Sequence, residues 1–223
     1  MDRRGAAAAL TGAVPQSDVS ADDAKLISRW LSASGHDDAP LANALLKRMG
    51  IKPGQSIPYN PAFVRALAGQ VRRSGDAAAG KKVFQSSVTN CTACHRVQGL
   101  DQPVAAFPKG PELTAVSAGL QLELIIESVV WPNRQIKEGY AITTILTDDG
   151  RQFSGYLMAE GNGTVGIRDL ATGKVREIPA DRIEERIEKG TAMPAGFTAA
   201  LTREELRDLI AYLTSLRGSG VKR

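Results

Sequence analysis

Cys91-Thr92-Ala93-Cys94-His95 is the stretch whose reading decides the rest of the chain. Two cysteines, two spacers and an adjacent histidine form the pattern by which c-type haem is attached. Each thiol adds across a haem vinyl group to give a thioether. The spacing matters because the two vinyls sit a fixed distance apart on a rigid ring. The histidine that follows is held beneath the porphyrin, where an imidazole binds iron as the proximal ligand. A chain with this pattern must build a dry pocket and supply, or withhold, a sixth ligand.

Composition narrows the classes. The 223 residues allow one large domain or two small ones, and 43% hydrophobic with 23% charged residues reads as globular. The net charge of +4 is mildly basic, and no Lys/Arg stripe points to nucleic acid. Both cysteines of the chain lie in the pentapeptide, so a disulfide framework requires them to pair with each other. A thioredoxin-type redox pair would want a βαβ setting and no ligand histidine. A structural zinc site would need a fourth ligand, and no second Cys/His cluster exists. No run of 18 apolar residues occurs, so no membrane span is expected.

Upstream of the motif the pattern is helical. Residues 1–17 read as flexible. Ser20 then caps a helix carrying Leu26, Ile27, Trp30 and Leu31, and a second runs from Pro40 to Met49. Asn60-Pro61 opens a third through Phe63, Val64, Leu67 and Val71. The three resemble the tail of a helical repeat array, and His36 reads as a solvated loop residue. Asp76 caps a fourth helix with Gly80 and Phe84 on one face. At the far end, Thr202 and Glu205 form a capping box before Leu206, Leu209, Ile210, Tyr212 and Leu213. Helices crossing at Gly80/Phe84 and Tyr212 would close a small helical unit.

Taken in order, residues 75–84, the Cys91–His95 motif, Lys109-Gly110-Pro111-Glu112-Leu113, Met193-Pro194 and the terminal helix resemble a class I cytochrome c domain. That resemblance implies that the Pro111 carbonyl orients the His95 ring and that Met193 is the sixth ligand. It departs from simple members in spacing, because a segment of different composition separates His95 from Met193. Tyr140–Thr147, Arg151–Met158, Thr164–Arg168, Lys174–Pro179 and Arg182–Ile187 read as short strands joined by Asp-Gly, Asn-Gly and Thr-Gly turns. Five such strands suggest a small SH3-like or Sm-like barrel. A cytochrome c interrupted this way is similar to the haem-binding domain at the C-terminus of large planctomycete and verrucomicrobial proteins, where it often follows helical repeats or a propeller-type dehydrogenase module.

The expected fold is therefore a mainly α cytochrome c fold with an inserted all-β barrel and an N-terminal helical extension. The expected divisions are 1–17 flexible, 18–74 extension, 75–135 with 190–217 cytochrome c, and 136–189 barrel. The expected cofactor is one covalent haem c held by Cys91 and Cys94, with its iron between His95 and Met193. Trp131 and Arg134 either meet the haem and its propionates or belong to the junction with the barrel.

Such a chain is expected to be an electron carrier, not an enzyme, passing electrons to a redox partner protein or an attached dehydrogenase module. The competing reading is a haem enzyme or gas sensor with an open sixth position. Protein docking is the expected use of the barrel. Haem attachment to this motif is an extracytoplasmic process, which implies a periplasmic or similar location. The alanine-rich start from Gly5 to Val14 is a poor export signal, so a piece of a longer exported protein is expected.

Overall fold

The structure is a computed structural model that describes residues 11–14, 18–33, 39–52, 54–102, 107 and 109–218. His36 and much of 1–17 lie outside these residues. Helix α1 spans Ala21–Ala33, α2 Ala39–Arg48, α3 Pro61–Ser74 and α4 Ala77–Gln85; α5 is the short Val116–Gly119, α6 is Leu122–Val130 and α7 is Arg203–Ser215. Between α6 and α7 run β1 (Ala141–Thr147), β2 (Gln152–Gly161), β3 (Thr164–Asp169), β4 (Val175–Pro179) and β5 (Ile183–Thr191). No described helix is long and apolar enough to cross a membrane.

Local chemistry sets the helix ends. The Asn60 side chain accepts from the Ala62 and Phe63 amides, and Asp76 does the same for Ala78 and Ala79. These side chains satisfy donors that a first helical turn leaves unpaired. Thr202 and Glu205 complete a reciprocal capping box on α7.

α4 and α7 meet at the contact the sequence suggested. A Cβ on Gly80 would lie 1.8 Å from the Asp208 carbonyl oxygen, so only glycine permits this approach. One turn on, the Phe84 and Tyr212 rings pack 5.4 Å apart. Around this crossing lies the main core, which joins Val64, Leu67, Ala68 and Val71 of α3 to Ile125, Ile126 and Val129 of α6 and to Leu206, Leu209, Ile210 and Leu213 of α7. Helix α3 thus packs with α6 and α7, while α1 and α2 share a smaller cluster of Ala24, Leu31, Leu41, Ala42 and Leu45. Val14 joins that cluster from a helical turn at 11–14. The α1 face differs from its apolar pattern: Trp30 is 66% exposed, and Leu26 and Ile27 also face outward.

The strands form one antiparallel sheet in the order β4-β3-β2-β1-β5. Its core is Ile145, Val165, Ile167 and Ile178, with Phe153, Leu157 and Ile183 beside them. The turns fall at the glycines expected to take positive φ, Gly150, Gly163 and Gly173.

The expected mainly α fold is corrected here. Helices and a five-stranded antiparallel sheet both make up the chain, which is a mixed α and β fold. The five strands pair with one another in a single sheet, so they form a β layer of their own beside the helices. The sheet is also open among the described residues: β4 and β5 are its two edges, with no ladder joining them into a barrel.

Candidate functional site

The motif leaves α4 through a tight turn. Thr89 and Ser86 hydroxyls donate to the Val83 carbonyl, and Asn90 adopts a left-handed conformation with φ of 49°. Cys91–Ala93 then form a single 3-10 turn, with the Cys94 and His95 amides both donating to the Cys91 carbonyl. This winding brings Cys91, Cys94 and His95 onto one short loop. Both cysteines are free thiols and half-buried. Burial raises the Cys91 pKa, which keeps the group a thiol.

A strap of Gly110–Leu113 crosses this loop. The Gly110 amide donates to the Cys94 carbonyl at 3.0 Å, and the Leu113 amide donates to the Arg96 carbonyl at 2.8 Å. Between those bonds His95 Nδ1 lies 2.8 Å from the Pro111 carbonyl oxygen. A carbonyl can only accept, so Nδ1 carries the proton and Nε2 keeps its lone pair. Burial lowers the His95 pKa against the opposing pull of this bond, which favours the neutral imidazole. Gly110 closes the other side: a Cβ there would lie 2.7 Å from the imidazole Cε1.

Met193 stands in the loop between β5 and α7, half-buried, with its amide donating to Thr191 Oγ1 at 3.3 Å. Three separate segments hold this loop. Asn133 Oδ1 accepts from the Thr191 amide at 3.1 Å. Gly196 lies so close to the Gly54–Gln55 backbone that a Cβ would come within 2.5 Å of it. Beyond the loop, Lys25 and Arg29 of α1 donate to the Leu201 and Ala200 carbonyls, and Arg29 grips Glu205 with two bonds of 2.8 and 2.7 Å.

Trp131 and Arg134 are drawn into a different cluster. The Trp131 indole N–H donates to the Ile57 carbonyl at 2.7 Å, and its ring meets Tyr59 and Phe63 edge-on. Arg134 lies 3.5 Å over the Tyr59 ring and pairs with Glu127. Their partners are thus the segment before α3, the first turn of α3 and α6 itself. The turn they form carries Asn133, and so it braces the Met193 loop.

Two contributors had no place in the sequence reading. One is the 54–59 segment just described. The other is Tyr156 on β2, whose hydroxyl donates to the Lys109 carbonyl at 2.5 Å. An aromatic on the strand face opposite Phe153, Gly155 and Leu157 was the available signal, because that face should otherwise be wet.

The residues fit a covalent haem on the chemistry of their donors. Cys91, Cys94 and His95 do not converge on one point: among the described residues no group of three His, Cys, Asp or Glu is placed to hold a bare ion. Two free thiols and an imidazole whose Nδ1 is bonded to Pro111 suit thioether attachment with axial ligation through Nε2. Cys91 itself packs against the main hydrophobic core, which gives a group attached there an apolar neighbour. The chain matches no protein-family model and no curated protein.

Proposed function

We propose that this chain is a c-type haem protein, carrying one haem on Cys91 and Cys94 and passing single electrons to a partner protein. The observation that carries the reading is the His95 imidazole, proton-fixed on Nδ1 by Pro111 and free to ligate through Nε2, beside two free thiols. When bound, haem iron supplies one-electron exchange between ferric and ferrous states.

The chain's own residues do the rest. Pro111 holds the ring in one tautomer and increases the electron density on Nε2. Met193 would supply a thioether to the iron, a ligand that favours the ferrous state and would leave no position open to small ligands. The core against which Cys91 packs is apolar, and apolar surroundings disfavour the more highly charged ferric form. A periplasmic or other extracytoplasmic location follows from the attachment chemistry. The partner is a redox protein or a dehydrogenase module.

Redox titration with optical detection tests this reading. The expected result is a reversible one-electron transition, low-spin in both states, with no binding of carbon monoxide on mixing. High-spin iron that takes up carbon monoxide at once would favour a haem enzyme or gas sensor instead.

A further inference from the structure

Tyr156 belongs neither to the sheet core nor to the helical core, yet it is only 3% exposed. It fills the seam between the two, with its ring 5.4 Å from Tyr140. Its hydroxyl is spent on the carbonyl of Lys109, the residue that leads into the His95 strap. Burial pushes its pKa up to about 12, so it stays a donor across the physiological range. A second contact lies beside it: Phe107 packs into the β3–β4 turn, where a Cβ on Gly173 would meet its ring at 2.2 Å. The sheet therefore holds the chain that leads into the strap, at Lys109 and at Phe107.

We infer that Tyr156 is a positioning residue for His95, which makes the sheet part of the haem site and not only an adaptor for docking. The inference rests on the function proposed above. Its chain of contacts is short. The Tyr156 hydroxyl fixes Lys109; Gly110 follows and abuts the imidazole; Pro111 follows that and accepts the Nδ1 proton. A looser strap lengthens the Nδ1–H to Pro111 bond. The imidazole then donates less strongly, the ferric state loses support, and the reduction potential rises.

The test compares Y156F with wild type and with Y140F, a control that leaves the Lys109 bond in place. All three are first checked for attached haem by intact mass. With haem attached, Y156F should show a higher midpoint potential and a shifted proton resonance for His95 Nδ1–H. It should retain the far-red absorbance of a thioether-ligated ferric haem, and Y140F should match wild type. A purely structural role would lower the unfolding temperature of Y156F and leave potential and resonance in place, which would overturn the inference. Y156L serves in the same comparison if Y156F does not fold.

If wild type itself carries no haem, the function proposed above fails and hydrogen exchange decides this one. The Gly110 and Leu113 amides should then exchange faster in Y156F than in wild type, with the β2 amides unchanged. Equal exchange at Gly110 and Leu113 would overturn the inference in that case too.

Discussion

The two sides of the candidate haem site are built in opposite ways. The proximal side is mostly local: Cys91, Cys94, His95, Gly110 and Pro111 lie within about twenty residues and are tied by backbone bonds, with Tyr156 on Lys109 as the long-range addition. The proposed distal side, at Met193, is assembled from afar. Met193 gets its place from Asn133, from the Gly54–Gln55 backbone, and from α1 gripping the chain just after it. A short strap can be read from a motif, whereas a loop held by three distant segments cannot. The difference also implies that the two sides should fail separately.

The largest effect should come from Gly110→Val, which drives a branched side chain into the imidazole. Overpacking of this kind costs roughly 1–3 kcal/mol or more. Beyond that cost, the ring should lose its fixed orientation, and visible spectra should report loss of the low-spin form. Met193→Ala should break only the distal side. Covalent haem should remain while the far-red thioether absorbance disappears and carbon monoxide binds on mixing. If M193A keeps both the absorbance and the potential, Met193 is not the ligand.

Asn133→Ala sharpens the contrast. It removes one acceptor from the Thr191 amide and should cost about 1 kcal/mol in chemical denaturation. The thioether absorbance should weaken, while the His95 signature stays. Smaller still is Arg29→Ala at the α1–α7 contact, worth about 1 kcal/mol or less for a partly exposed pair.

That contact also gives a pH dependence. Burial pushes the Glu205 pKa up, but bonds from Arg29 and the Thr202 amide outweigh it and hold it below the usual glutamate value. A carboxylate depressed in the folded state stabilises it above the unfolded pKa. That stability is lost as pH falls through the folded value. Acidification below about pH 4 should therefore weaken the docking of α1, and R29A should flatten that dependence in denaturation curves.

Local signals account for what the sequence made legible. Caps at Asn60, Asp76 and Thr202 placed three helix starts, and positive-φ glycines placed the turns of the sheet. The Gly80 approach was readable because it needs one residue type at one place, whereas the Pro111 bond was expected only from the resemblance to cytochrome c. The mixed fold was not weighed correctly, because strands seen as an insertion were treated as minor. Leu26, Ile27 and Trp30 marked a helix that the structure has, but an apolar stripe says which residues share a face, not that the face is covered. Tyr156, Asn133 and Gly196 act across long sequence separations, and no local pattern encodes such partners.

The central claim is that Cys91 and Cys94 carry one haem. Intact mass spectrometry on protein made where haem attachment occurs, paired with a pyridine haemochrome spectrum, tests it most directly. The account predicts the polypeptide plus one haem, resistant to acid extraction, with the spectrum of two saturated vinyl groups. A bare polypeptide mass from cells that load other c-type proteins, or a haem that extracts freely, would contradict it.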